Sequence, residues 1–338
     1  MRIIFSAIIF ICIISACQQR IPDKLITITG LTMGTTYSVK FKVSGNELDK
    51  NKIHTDLEQI LSDINQSMST YINDSELSRF NRSRDNHPQV LSDDLYRVIA
   101  HANHVSIISN GAFDVTVGAL VNLWGFGPDP LDHEIPANNA IDAIKRHIGF
   151  DKLVFDDHNK SIAKTDPAIY VDLSGIAKGF AVDKLADYLD SLMVTNYLVE
   201  IGGELTGKGF NPENKPWQIG IEQAKPLERA VQRIIRLNNI AMATSGDYRN
   251  YFEQDGVRYS HTINPVSGKP IKHNLASVTV IDKSTMHADA MATAFMVLGP
   301  DKTIDLANKL NMPVYMIIKT ENGFDERYND SFKPYLSD

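Results

Sequence analysis

The stretch Tyr170–Leu185, YVDLSGIAKGFAVDKL, reads as a strand that gives way to a helix within a few residues. Gly175 and Gly179 sit at that junction, where a glycine lets the following helix begin close to a ligand. The unpaired N–H groups of a first helical turn attract an anion such as phosphate. Asp172 projects from the strand end and Lys178 from the first turn, so an acceptor and a cation face one pocket mouth. Strand-glycine-helix junctions also serve packing alone, and the rest of the chain has to decide between the two.

At the N-terminus Arg2 precedes an apolar run, Ile3 to Ile14, interrupted only by Ser6 and followed by ISAC. A helix needs roughly 20 apolar residues to span a bilayer, so this shorter run reads as a secretory leader. Residues 1–16 are expected to be a lipoprotein signal peptide, because ISAC places Cys17 where the lipidated cysteine of a bacterial lipobox would stand. Residues 17–29 then form the lipidated N-terminus and tether, and residues 30–338 the catalytic domain, held in the bacterial cell envelope on the periplasmic side.

The chain has two cysteines, Cys12 and Cys17, so the mature protein lacks a thiol for a disulfide, a nucleophile or a thiolate metal site. Loss of residues 1–16, which carry Arg2 and no acid, takes the formal charge from −7 to −8. Without a long basic run, nucleic acid is excluded as a partner class.

The 338-residue chain less its leader keeps 322 residues, enough for one large domain at 43% hydrophobic residues. TTYSVKFKV alternates like a strand, and Ile53, Leu57, Ile60, Leu61 and Ile64 recur at helical spacing. A second helix fits DDLYRVIAHANHVSIISNG, with Ser92 as N-cap and Gly111 as stop, and a third runs from Asn138 to His147. Short strands near KLVFD and SIAK follow, and beyond NYLVEIGGEL the chain is rich in strands until the helix of ADAMATAFMVLG and a last helix-strand pair. The fold class is α+β, a single intertwined catalytic domain of mixed sheets and helices, since no Pro/Ser linker divides the chain.

GGELTGKG, from Gly202 to Gly209, nearly spells a phosphate-binding P-loop. Gly209 stands where the magnesium-binding Ser or Thr belongs and FNP follows instead of a helix, so a hairpin turn is the better reading. In MHADAMATAF, Asp289 and Thr293 are four apart on a helix and share a face, offering the hard oxygen ligands that Mg²⁺ takes. An aspartate capping an apolar helix is the plainer reading of the same residues. His287 lacks the partners of a zinc motif. His261 lies between a strand and a Pro/Gly turn, where an imidazole reaches toward substrate, and Thr244, Ser245 and Tyr248 offer hydroxyls nearby in sequence.

In order, the segments MGTTY, STYINDSELSRFN, NGAFDVTVGALVNLWGFGP, VDLSGIAKGFAVD, YLVEIGGEL, ATSGDYRNYF, HTINPVSGKPI and VTVIDKSTMHADAMATAFMVLG resemble the ApbE family of FAD:protein FMN transferases, from about Met33 to beyond Gly299. The resemblance implies a T-fold-related α+β domain. It matches Met33 and Tyr71 to residues at the flavin, Ala112, Phe113 and Asp114 to a backbone stretch on FAD, and Asp172, Lys178 and Ile263 to further FAD contacts. It implies Mg²⁺ between the Gly175 carbonyl and the side chains of Asp289 and Thr293. Other small residues occupy the Gly175 position in relatives, which a carbonyl ligand tolerates.

The implied reaction is attack by a Ser or Thr hydroxyl of a target protein on the FMN-side phosphorus of FAD, releasing AMP. His261 is the candidate general base, with Asp282 or a metal-bound water in its place if not. An aromatic residue at Tyr71 points to transfer rather than to an FAD pyrophosphatase, and a non-catalytic flavin-binding lipoprotein would need neither base nor metal. The implied acceptors are membrane redox-complex subunits with a Ser/Thr-Gly-Ala-Thr-like motif.

Overall fold

The computed structural model describes residues 24–43, 48–128, 134–223, 231–247 and 251–337. The leader, Cys17 and Tyr248 lie outside the described residues. Strands β1 (Lys24–Thr32) and β2 (Thr35–Val43) form a hairpin, and helices α1 (Lys50–Met68) and α2 (Glu76–Arg82) follow. Next come β3 (Gln89–Val90), α3 (Asp93–Ile108), α4 (Gly118–Leu123), α5 (Asn138–Lys145), β4 (Leu153–Asp156), β5 (Ser161–Lys164) and α6 (Ala177–Ser191).

The strand-rich half holds β6 (Tyr197–Ile201), β7 (Glu204–Lys208), β8 (Trp217–Glu222), β9 (Val231–Leu237), β10 (Ile240–Gly246), β11 (Tyr251–Gln254), β12 (Val257–Ser260), β13 (Ile263–Asn264), β14 (Lys269–Pro270) and β15 (Leu275–Asp282). The chain closes with α7 (Thr285–Leu298), α8 (Pro300–Leu310), β16 (Val314–Thr320) and β17 (Gly323–Tyr328).

Eight strands make one sheet in the order β1-β2-β6-β7-β10-β15-β16-β17, each antiparallel to its neighbour. The period-two alternation of side chains gives that sheet two apolar faces. Val39, Phe41, Val199, Ala243, Val278 and Met316 pack on one face with α1, α3, α6 and α7. Leu198, Leu205, Met242, Tyr315 and Ile317 pack on the other with Trp217, Ile221, Ile235 and Leu237 of the β8–β9 hairpin. This is the α+β unit expected from the sequence.

Local chemistry sets the helix starts. The Asp49 carboxylate accepts from the N–H groups of Asn51 and Lys52 at the head of α1. Ser92 caps α3 as expected, accepting from Leu95 N. That helix stops at Ile108, earlier than Gly111, because Asn110 and Gly111 already carry positive φ of 53° and 76°. Similarly α5 ends at Lys145, two residues before His147.

One boundary needs correction. The tether expected through residue 29 overlaps β1, whose Ile26 and Ile28 are buried in the core. Pairing of Lys24 with Val43 fixes that segment into the sheet, so the folded domain includes Lys24. Among the described residues no helix is long and apolar enough to cross a membrane.

Candidate active site

The decisive stretch folds as its sequence suggests. Val171 exchanges two 2.8 Å hydrogen bonds with the buried side chain of Asn81: the Asn81 amide donates to Val171 O and its carbonyl accepts from Val171 N. Asp172 N donates to Val115 O at 2.8 Å, which ties the next residue to the segment after Phe113. The Asp172 carboxylate then accepts from Ser174 N at 2.8 Å and from the Ser174 hydroxyl, closing a turn that carries Gly175. α6 begins at Ala177 without a side-chain cap.

α7 meets this turn from the far end of the chain. Asp183 on α6 accepts from Thr285 N (2.8 Å), Met286 N (3.0 Å) and the Ser284 hydroxyl (2.8 Å), so one helix caps the other. Gly179 N donates to Asp289 Oδ2 at 2.9 Å. A Cβ at residue 179 would stand 2.4 Å from Thr285 O, so only glycine allows the two helices to approach this closely. A Cβ at residue 175 would lie 3.0 Å from Thr293 Oγ1 and 3.2 Å from the Phe113 ring. Gly175, Asp289 and Thr293, which the family resemblance grouped, all border one cavity.

Lys178 also arrives here, but with partners. Its ammonium pairs with Glu204 at 2.8 Å and stands 3.8 Å from Asp289 Oδ1. Burial pulls against the charge of Lys178, but Asp289 and Glu204 outweigh it and raise its pKa above the usual lysine value. Burial pushes the Glu204 carboxyl up to about 7 against the opposing pull of Lys178, with Asp289 adding to the rise. Asp289 is raised for the same reason, although Lys178 and the Gly179 N–H oppose it. Two carboxylates share one ammonium, and Glu204 Oε2 is buried without a hydrogen-bond partner.

These groups line a cavity of about 840 Å³. Tyr71, Ala112, Phe113, Asp114, Asp172, Lys178, His261 and Ile263 all border it, as do Gly175, Asp289 and Thr293. Tyr71 is 68% exposed at this border, and partial burial with the nearby Asp172 carboxylate holds its hydroxyl above the usual tyrosine range. His261 packs edge-on against Phe126, with ring centroids 6.3 Å apart. Thr244 and Ser245 reach the cavity too.

Two expectations shift, at Met33 and Asp282. Met33 is not among the cavity-lining residues; it occupies the β1–β2 turn with φ of 49° and packs on the core beside Thr35, which does line the cavity. Asp114 borders the cavity, and its carboxylate is committed inward, accepting from Thr116 N and Oγ1 and from Phe150 N, so what it can offer a ligand is backbone, the role expected of this stretch. Burial raises its pKa against those three donors. Asp282 accepts from Ser284 N outside the cavity lining, so it is not placed to serve as the base.

The sequence reading missed Glu204, Asn81 and Asp183. The GGEL segment is a hairpin turn as expected, with Gly202 and Gly203 at φ of 63° and 112°. The signal left unused was Glu204 itself, an acid placed directly after the Gly202–Gly203 turn at the head of β7. Among the described residues no group of three or more His, Cys, Asp or Glu could hold a metal ion. Any cation here would draw on hydroxyl, carbonyl and water oxygens beside a single carboxylate, which is how Mg²⁺ is commonly held.

A sequence model of the ApbE family matches residues 33–317. An FAD:protein FMN transferase of Vibrio cholerae is 44% identical over 337 residues, covering all of both chains. One of Haemophilus influenzae is 46% identical over 325 residues, covering 95% of this chain and 93% of its own. The solved structure of the flavin transferase ApbE from Vibrio cholerae superposes with a TM-score of 0.87 at 44% identity, covering 93% of this chain and all of that one. With a family match across most of its length and relatives alike from end to end, the chain belongs to the ApbE family.

Proposed function

We propose that this protein is an FAD:protein FMN transferase that moves FMN from FAD to a Ser or Thr hydroxyl of a target protein and releases AMP. The observation that carries this reading is the convergence of Asp172, Gly175, Lys178, Asp289 and Thr293 on one cavity, from segments more than a hundred residues apart in sequence. Relatives named for that activity support it.

The site's own charges fit a cation. Asp289 and Glu204 outnumber Lys178, both acids are pushed toward protonation, and Glu204 Oε2 lacks a partner. Gly175 through its carbonyl, and Asp289 and Thr293 through their side chains, would hold Mg²⁺, which supplies neutralisation of pyrophosphate charge when bound. Lys178, kept charged by its two carboxylates, adds positive potential where charge accumulates on the leaving phosphate. The N-terminus of α6 contributes in the same sense. His261, at the cavity wall, is the group we assign to take the proton from the acceptor hydroxyl.

Hydrolysis of FAD by the same site is the neighbouring reaction, and Tyr71 at the cavity border favours transfer. Incubation of the protein with FAD and Mg²⁺, with and without an acceptor, followed by measurement of AMP, FMN and acceptor mass, separates the two. Acceptor-dependent AMP release with a matching mass gain is the expected result. AMP and free FMN in equal amounts with an unmodified acceptor would establish a pyrophosphatase instead. We further propose that Cys17 carries a lipid anchor that keeps the domain at the bacterial cell envelope, facing the periplasm.

A further inference from the structure

Part of the cavity wall carries none of the residues assigned to FAD or to the metal. Gln218, Ile219, Gly220, Ile221 and Glu222 of β8 all line it, one after another. Side chains of a strand point alternately to its two faces, so a strand meeting a cavity face-on contributes every second residue. Five in succession mean that β8 meets the cavity along its edge. Gly220, which has no side chain, lines it with backbone. Among the described residues β8 pairs with β9 alone, along its other edge.

An open strand edge presents a repeating row of N–H and C=O groups, the pattern that another extended polypeptide completes. FAD offers no such repeat; a protein acceptor does. The wall beside this edge is mixed: apolar Leu198, Leu205 and Met242 line the same cavity, and so do the charged Lys40, Glu200 and Glu222.

We propose that the open edge of β8 is the docking track for the acceptor: an extended segment of the target protein adds to β8 as a strand and so delivers its hydroxyl into the cavity that holds Lys178 and Asp289. This inference rests on the transfer reading given above. The strand hydrogen bonds supply affinity with little dependence on side chains, and the pockets between the lining residues read the side chains around the hydroxyl.

The test uses the full-length protein, FAD, Mg²⁺ and a synthetic peptide containing Ser-Gly-Ala-Thr, with FMN transfer followed by mass. A set of peptides, each N-methylated at one backbone position, removes one N–H at a time. Strand addition requires an alternating pattern, in which methylation at every second residue raises the acceptor KM by about three- to tenfold per lost hydrogen bond. The positions between change little. Uniform insensitivity, or loss confined to the residues touching the threonine, overturns the proposal. If the unmethylated peptide gains no FMN while AMP is still released, the transfer reading itself has failed and the docking track with it. On the protein side, Gln218→Pro and Ile219→Pro remove adjacent N–H groups, one directed to β9 and one to the open edge. The variant that keeps its melting temperature should be the one with the raised acceptor KM; a wild-type KM in that variant counts against the track.

Discussion

Replacing Asp289 by Asn changes the charge of the site while leaving its shape. Asp289 is 4% exposed, its Oδ2 accepts from Gly179 N at 2.9 Å, and Lys178 lies 3.8 Å from Oδ1. An Asn side-chain oxygen can keep the Gly179 hydrogen bond, so α6 and α7 should stay in register. With both acids ionised the native site carries one negative charge in excess of Lys178; the variant carries none, and its attraction for a divalent cation falls accordingly. Loss of one preorganised electrostatic contact at a reacting centre lowers kcat by about 10²–10³-fold, or about 2.7–4 kcal/mol. FMN transfer at dilute Mg²⁺ should drop by that order, with FAD still quenched on binding because Tyr71 and Asp172 are untouched. Titrating Mg²⁺ while following AMP and acceptor mass gives the comparison. A variant that transfers FMN at the native rate in dilute Mg²⁺ would refute the reasoning and leave Asp289 as a helix-packing acid.

Gly179→Ala drives a Cβ to 2.4 Å from Thr285 O, so the protein should lose about 1–3 kcal/mol in denaturant melts, with transfer falling as Asp289 is displaced; unchanged stability would contradict the close approach of α6 and α7. Glu204, whose folded pKa is raised from 4.5 to about 7, binds its proton more tightly in the folded state, so its stabilising contribution is present below pH 4.5 and fades as pH rises through about 7. Metal-free wild type should therefore lose stability relative to Glu204→Gln between pH 4.5 and 7, as read by denaturant midpoints; parallel curves would remove Glu204 from the account. Thr293→Val deletes a neutral oxygen and should be milder than Asp289→Asn, recovering in part at high Mg²⁺ or Mn²⁺. Cys17→Ser should move the protein from membranes to the soluble fraction, and retention after a high-salt wash would argue against lipidation.

The sheet and the long helices were legible because their apolar residues recur at strand or helix spacing, as in α1 and β2. Helices α2 and α4, of seven and six residues, are too short for a period to declare itself. The pairing of Asp289 with Thr293 follows from their four-residue spacing, a local property. Glu204 and Asn81 act through partners supplied by the tertiary fold: Glu204 pairs directly with Lys178 at the cavity wall, and Asn81 meets Val171 ninety positions away in sequence. Nothing in their immediate neighbours announces either contact. Asp282 shows the opposite error, an acid close in sequence to the site whose side chain turns back to Ser284.

The strands of the main sheet lie side by side in the same order in which they occur along the chain. Every functional group apart from those on the strands themselves therefore arrives in an excursion between consecutive sheet strands, such as the one from Val43 to Tyr197 or the one from Gly246 to Leu275. Doubling the length of such an excursion adds only about 0.6 kcal/mol of closure entropy. Insertions and deletions can thus accumulate in these segments over evolution without disturbing the sheet register. Divergence in acceptor choice among relatives is accordingly expected to concentrate in the segments that leave and rejoin the sheet, while the strands themselves change slowly.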